Sequence, residues 1–341
     1  DTWTLKTVGW DERKGGTNDS NPGPSPFKNP DGTPREVKLS AMAFYRDRLW
    51  LAAGDSIFSS RLGDFDNFWI DDPSNIVSTD PIDLSVSSNK YSPITTMIPF
   101  NDYLFINTEG DTQFELIGSE NQVTPFTAEI APSTFYSTVP SIEPQLMGNQ
   151  IYFFDEKKLY IYFGQANTNI NQAVDVSAHC PNYLPTTPTA VAVSPAHNSI
   201  YFVDSEEKNI LYTYTNRFAG DQVVQNAFFR QVFSSNISIE STIVFDNYLY
   251  LISTVDGEYV YLQRMPLDIS EEDLTAPRLD NRYESGEATY WNDSNTTVYL
   301  LPFQCQSINK AIVSSGDLTG VVYDVTSQTD EYGTHASVLG N

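Results

Sequence analysis

One short phrase returns five times along this chain, and its spacing constrains the fold more tightly than any single motif. The copies are AFYRDRLWLA (43–52), PFNDYLFINT (99–108), LMGNQIYFFD (146–155), SPAHNSIYFVD (194–204) and VFDNYLYLIS (244–253). Each is a β-rich run, a tight polar turn and an aromatic–aliphatic run. Aligned on Leu49, Leu104, Ile151, Ile200 and Leu249, they recur at a spacing of roughly 47 to 55 residues, a period that belongs to propeller-type architectures. The turns carry Asp47–Arg48, Asn101–Asp102, Gly148–Asn149, His197–Asn198 and Asp246–Asn247, where Gly, Asn and Asp tolerate the positive φ of a tight hairpin.

A third strand follows each phrase: SIFSSR, TQFELIG, KLYIYFG, ILYTYT and EYVYLQR. A fourth, outermost strand leaves no clear pattern. Three or four strands per unit match a propeller blade, whose inner strands are buried on both faces and read as mostly apolar. A β-sandwich is the competing architecture, but its turn signals recur every ~8–12 residues without a longer period. The prediction is an all-β chain with a β-propeller of about six blades, five visible here, followed by part of a second β domain.

Residues 1–268 are expected to form the propeller. Residues 1–10 alternate like a strand, the tail of a blade that begins before this sequence. Residues 11–38 form a long Pro/Gly-rich loop, flexible on composition, with an ordered multi-proline connection as the alternative. The super-period stops near LDISEEDLTAPR (267–278), an acidic, Pro-containing boundary. Residues 269–341 hold strand-like runs (TTVYLLPF, AIVSS, GVVYDVT) without the blade phrase. They are expected to begin a second, incomplete, platform-like β domain.

Twenty Tyr and twenty Phe among 341 residues support strands. The net charge of −25 speaks against phosphate-backbone affinity, which needs clustered Lys and Arg. It fits a soluble surface, a salty habitat, or a wall past which nucleic acid must slide. The two cysteines, Cys180 and Cys305, lie far apart and match neither a disulfide framework nor a metal spacing. No apolar run approaches the ~18 residues needed to span a bilayer. Nothing at Asp1 resembles a secretory leader, and a start at Asp suggests an interior piece of something longer.

Catalytic chemistry finds little support. His197 falls in a hairpin turn, His179 in a Pro-rich connection and His335 in the polar end, without H-x-x-x-H or C-x-x-C spacing. Adjacent acids such as Asp71–Asp72 or Glu271–Glu272 arise by chance in so acidic a chain. A glycosidase needs two carboxylates across a cleft, and the S-x-D-x-G-x-x-W boxes of sialidase-like propellers are missing. The glycines of DGTPREV and GDSIFSSRLGD lack phosphate-loop spacing. Sequons at Asn18, Asn236, Asn292 and Asn295 matter only in a secreted eukaryotic protein. No catalytic residue, cofactor or metal is therefore expected.

The polar–aromatic segment SSRLGDFDNFWIDDPSN (59–75) stands apart. It suits a packing loop between blades, the commoner use, or a recognition surface rich in Arg and aromatics. On the second reading, Arg61, Phe65, Asn67, Phe68 and Trp69 are the candidate subunit or fibre interface. With its neighbours, FYRDRLWLAAGDSIFSSRLGDFDNFW (44–69) resembles the signature of tail tubular protein B, the tail nozzle family of short-tailed bacteriophages. STDPIDLSVSSNK (78–90), PFNDYLFINTEGDTQFEL (99–116) and DVSAHCPNYLP (175–185) follow in the family's order, after TNDSNPGPSPF (17–27) upstream. Arg61, Asn67 and Gln113 are the signature residues that hairpin geometry alone does not require.

That resemblance implies a structural virion protein of the tail tip, in six copies around a DNA ejection channel. Its implied partners are a tail adaptor ring (tail tubular protein A), the tail fibres, and genomic DNA that passes without specific binding. An acidic channel wall would repel phosphates and keep the strand near the axis. Two alternatives remain at this stage: a propeller that binds or cleaves envelope glycans, and a secreted propeller scaffold for protein partners.

Overall fold

The computed structural model describes residues 9–17, 20–28, 33, 35–86, 91–119, 122–164, 171–219, 222–268, 289–291, 296–301, 310–312, 320–330 and 333–339. Among them there is no α-helix, only two short 3-10 turns at Ser25–Phe27 and Pro195–His197. Nor is there a helix long and apolar enough to cross a membrane.

Five antiparallel sheets follow the repeat, each with its strands in sequential order. The first holds β1 (Ala41–Tyr45), β2 (Arg48–Ala53), β3 (Ser56–Ser59) and β4 (Asp83–Ser85). The second holds β5 (Ile94–Phe100), β6 (Tyr103–Thr108), β7 (Gln113–Ile117) and β8 (Glu129–Thr134). In the third are β9 (Gln145–Met147), β10 (Gln150–Asp155), β11 (Lys158–Gly164) and β12 (Asn171–Asp175). The fourth comprises β13 (Pro188–Ser194), β14 (Ser199–Asp204), β15 (Ile210–Ala219) and β16 (Gln222–Val232). The fifth has three strands among the described residues, β17 (Ile237–Phe245), β18 (Tyr248–Val255) and β19 (Tyr259–Pro266). Every repeat phrase is thus the hairpin of a blade's first two strands.

The turns obey the predicted chemistry, with one shift. The first hairpin turns at Arg46–Asp47 rather than Asp47–Arg48: both have positive φ (51° and 55°), and Arg48 already pairs with Tyr45. Asp246 and Asn247 show the same pair of positive values, 48° and 59°, the type I′ signature. The outer strands β4, β8, β12 and β16 supply the fourth members that carried no sequence pattern. A bulge interrupts the first strand of three blades at matching places, between Ile94 and Thr96, Pro188 and Ala190, and Ile239 and Ser241. Such insertions tighten the local twist.

Consecutive blades pack face to face, and this is where the core lies. Trp50, Ala52 and Ile57 of the first meet Met97, Leu104, Ile106 and Phe114 of the second. Phe100 and Phe105 then meet Ile151, Phe153 and Tyr162. Tyr152, Phe154 and Leu159 of the third blade face Ile200, Phe202 and Tyr212. Ala190, Tyr201 and Val203 of the fourth face Leu249 and Leu251 of the fifth. Because both faces are covered, strands such as β2 and β14 are buried at every position, as inner blade strands must be.

Polar side chains also cross these seams. Glu115 of β7, 9% exposed, accepts hydrogen bonds from Ser133 Oγ (2.5 Å), Asn171 Nδ2 (2.7 Å) and the Tyr162 hydroxyl. Burial, then the Glu115 charge, pushes the Tyr162 phenol well above its ordinary range. Asn216 Nδ2 donates to the Tyr152 hydroxyl at 2.9 Å between the third and fourth blades.

The last sheet is built differently. Its strands are β20 (Thr289–Trp291), β21 (Thr296–Leu301), β22 (Lys310–Ile312), β23 (Val322–Asp330) and β24 (Gly333–Leu339). Their order, β20-β21-β24-β23-β22, is not sequential. The strand expected over residues 1–10 lies outside the described residues except for Gly9 and Trp10. Most of the boundary at 267–278, and Cys305, Asn18, Asn292 and Asn295, lie outside them too.

Candidate partner-binding site on the first blade

Arg48 organises the connection that carries the candidate residues. Its side chain is fully buried, although the residue opens a strand. Nη1 donates to Ser60 O (2.8 Å) and Asp80 O (2.7 Å), and Nη2 donates to Ser78 O (2.8 Å). One guanidinium therefore clamps both ends of the 60–80 connection onto the blade. Burial pulls it down to about 10, partly offset by the nearby Asp80 charge. Ser60 closes the start of the loop with paired backbone and hydroxyl bonds to Leu49.

Within the loop, Asn67 is 2% exposed and works as a turn-former. Its Oδ1 accepts from Trp69 N at 2.9 Å, and Arg61 N donates to Asn67 O at 2.8 Å. Phe68 inserts edge-on against Phe58 of β3 (5.7 Å between centroids) and against Trp10 (5.6 Å). Trp69 Nε1 donates to Asp11 O at 2.9 Å, with the Arg13 guanidinium 5.5 Å from its ring centre. Arg61 pairs with Asp71.

The Pro/Gly-rich loop is an ordered strap over its described residues, which corrects the expectation of flexibility. Asn21, 1% exposed, donates through Nδ2 to Gly15 O (2.8 Å) and Ile70 O (2.5 Å). Gly23, at φ +75°, passes so close to Trp69 that an added Cβ would lie 2.9 Å from the ring. Ser25 donates from N and Oγ to the Asp83 carboxylate (2.6 and 2.9 Å), tying the strap to β4. Burial raises the Asp83 pKa, against the pull of those two bonds. Phe27 stacks edge-on against Phe58. Together with Val37 and Phe68 the strap covers Leu49, Leu51, Ala53 and Phe58, the face of the first blade turned away from the second.

Of the five candidates, then, Asn67, Phe68 and Trp69 are committed to holding loop and strap on the blade. Arg61 is half-buried beside Asp71, and Phe65 is exposed. Phe65 meets Phe44 edge-on at 5.2 Å, and Phe44 and Met42 of β1 are exposed with it. The sequence reading missed these last two. Strand parity could have found them, since Ala43 and Tyr45 point to the second blade and their neighbours must point away. Gln113, the remaining signature residue, is fully buried and bridges Thr134 Oγ1 (2.5 Å) to Tyr136 O.

The described residues offer little for catalysis. Ser194 Oγ lies 2.8 Å from His197 Nδ1, and His197 Nε2 lies 2.8 Å from Asp268 Oδ1. These residue types can form a nucleophile relay, but the serine is 2% exposed while the carboxylate faces solvent. An acyl group has no approach to that hydroxyl; the bonds tie a turn of the fourth blade to the end of the fifth. A cleft of about 310 Å³ beside Gln150, Tyr152 and Asn216 is lined without carboxylate or histidine. Another, of about 450 Å³, holds Asp155 and Glu156 side by side in one turn rather than across a gap, contrary to what glycoside cleavage requires. No group of three His, Cys, Asp or Glu could hold a metal among the described residues.

Comparison with known proteins adds a relationship that geometry alone does not supply. A family model described as bacteriophage nozzle protein matches residues 1–341. Tail tubular protein gp12 of Escherichia phage T7 is 23% identical over 310 residues, covering 87% of this chain and 38% of that protein. The chain thus spans well under half the length of this relative. Among solved structures, YCF48 from Cyanidioschyzon merolae aligns with a TM-score of 0.39 at 9% identity, covering 90% of this chain and 97% of that one. Kluyveromyces lactis Hsv2 aligns with a TM-score of 0.37 at 9% identity, covering 89% and 98%.

Proposed function

The chain belongs to the bacteriophage nozzle protein family, and from that premise we propose that it is the propeller-bearing part of a tail nozzle subunit. It serves as a structural component of the virion tail rather than as an enzyme. Six copies form a ring around the DNA ejection channel, between an adaptor ring above and the tail fibres beside it. The observation that carries this reading is the family match along the whole chain. It is supported by what the signature residues do. Arg48, Asn67 and Trp69 hold the first blade, its 60–80 connection and its strap together, and Gln113 ties the outer strands of the second blade, rather than lining a cleft.

Residues 269–341, with their non-sequential strand order, begin a second, platform-like domain. Arg61 and Phe65 are the loop members placed to touch another surface. The acidic excess of the chain lines the channel in part and keeps phosphates from adhering. Electron microscopy of the full-length protein with its adaptor tests the assignment. Six-fold rings docked on the adaptor are expected, with a lumen of net negative potential. Monomers that release reducing sugar from bacterial envelopes would overturn the structural reading, and a basic lumen would overturn the role given to the charge.

A further inference from the structure

The outer strand of the fourth blade is less protected than the other outer strands. β4 runs for three residues, and its Asp83 is tied to the strap. β8 has six and carries Glu129 and Pro132, while β12 has five and ends on Asp175. Shortness, charge and proline are the devices that keep an edge from pairing with another chain. β16 runs for eleven residues, QVVQNAFFRQV, with no proline, no carboxylate and Arg230 as its one charge. Together with β15 it also outruns the rest of its blade. β14 reaches only to Ser199, opposite Thr215, whereas β15 goes on to Ala219, paired with Gln222.

Parity identifies the groups that this edge offers. Phe233 N donates to Asn209 O at 2.8 Å, into the sheet. The pairing is regular from Ile210 with Val232 to Arg217 with Gln225, and in an antiparallel strand alternate residues turn N–H and C=O the same way. Ala227, Phe229 and Gln231 therefore bond β15, and Asn226, Phe228, Arg230 and Val232 present N–H and C=O outward. Among the described residues no further strand lies beyond β16. Phe229 (44% exposed), Arg230, Gln231 and Val232 (64%) are exposed in succession, so this end of the strand is open on both faces as well.

We propose that the β16 edge accepts an extended strand from a second copy of this chain, which makes it a joint between neighbouring subunits. Charge selects that occupant. β15 and β16 together carry Arg217 and Arg230, both exposed, and no carboxylate, in a chain of 44 acidic against 19 basic residues. Arg230 lies over the Tyr183 ring, 5.8 Å from its centre, and still faces solvent. The surface that another copy brings up is of opposite sign, and opposite charges across a strand pair favour it. The contact is heterologous, β16 of one copy against a different surface of the next, as a closed ring requires. The inference rests on the ring of copies proposed above and names its contact.

Amide hydrogen exchange resolved to single residues tests it on the full-length polypeptide, in assembled rings and in the same protein diluted until it is monomeric. The amides of Asn226, Phe228, Arg230 and Val232 are expected to exchange at least tenfold more slowly in rings than in monomers, and those of Ala227, Phe229 and Gln231 slowly in both. Val232→Pro removes an outward N–H without taking a bond from the blade. It is expected to raise the concentration at which rings half-dissociate at least tenfold, whereas Val232→Thr, which keeps the N–H, stays within twofold of the parent. Asn226→Pro decides in its place if Val232→Pro fails to fold. Rings whose outward amides exchange as they do in monomers would overturn the inference and leave the ring standing. Protection already present in monomers would overturn it by giving the edge to the chain's own residues. Protection that needs a different virion protein would overturn it by giving the edge to that partner. A full-length protein that forms no rings would overturn the ring and the inference together.

Discussion

Replacing Arg48 by Met should loosen the 60–80 connection and cost the protein about 2–4 kcal/mol. The guanidinium satisfies three carbonyls, at Ser60, Asp80 and Ser78. Ser60 and Asp80 are essentially inaccessible to water, whereas Ser78 is exposed. Water can therefore replace one bond of the three; Asp80 O is left unpaired at ~1–3 kcal/mol, while Ser60 O keeps its bond from Ser59 Oγ (3.1 Å) and loses a second donor worth ~1 kcal/mol. Met keeps most of the volume, so no large cavity adds to the loss. Removing a desolvated cation returns part of the energy, which is why the expected net is nearer the middle of the range than the top. Arg48→Lys keeps the charge but not the fork, cannot reach Ser78 and Asp80 together, and should lose about 1–3 kcal/mol. Chemical denaturation measures the global change, and hydrogen exchange of the amides at 61–80 measures the local one. A Met variant within about 0.5 kcal/mol of the parent, with unchanged exchange at 61–80, would refute the clamp.

Alkaline conditions should destabilise the fold. Burial raises the phenol of Tyr214 to about 12 and pushes Tyr152 and Tyr162 higher still. An unfolded tyrosine releases its proton near pH ~10, so the folded chain holds more protons above that pH. Stability is then full below about pH 10 and falls as pH rises toward 12, by up to ~1.4 kcal/mol per pH unit for each buried tyrosine. The lowered Arg48 opposes this with a single slope of the other sign; a denaturation midpoint that is flat or rising from pH ~10 to ~11.5 would contradict the balance. Tyr162→Phe removes one donor to the buried Glu115 carboxylate and should cost about 1–3 kcal/mol, against no change in urea denaturation if that carboxylate is solvated. Gly23→Ala places a methyl group against the Trp69 ring at a positive φ. It should shift tryptophan emission and lower stability by about 1–3 kcal/mol, and an unperturbed spectrum would show that the strap does not pack on Trp69.

The blade hairpins were legible because their signals are local. A two-residue turn favours Asn, Asp or Gly at positive φ, and a strand buried on both faces must be nearly all apolar; both conditions are met within ten residues of Leu49, Leu104 or Ile151. The turn at Arg46–Asp47 slipped by one residue because Arg48 has the charge of a turn residue and the burial of a core one. Outer strands such as Asp83–Ser85 and Asn171–Asp175 were not legible, since a short edge strand is half-exposed and alternates weakly.

The candidate site divides along the same line. Sequence picked out Arg61, Phe65, Asn67, Phe68 and Trp69 as more than hairpin chemistry, and left their use open between packing and recognition. The choice depended on contacts that sequence proximity does not encode, such as Trp69 to Asp11, Asn21 to Ile70 and Ser25 to Asp83. Composition made residues 11–38 look flexible because Gly and Pro mark both disorder and tight, packed connections. The sequence by itself determined the repeat, the strand content and the family, all of which follow from short-range periodicity and phrase order. Only the tertiary structure decided which apolar faces are covered and which are left bare, because burial is a property of pairs of surfaces, and the two members of each pair lie tens of residues apart.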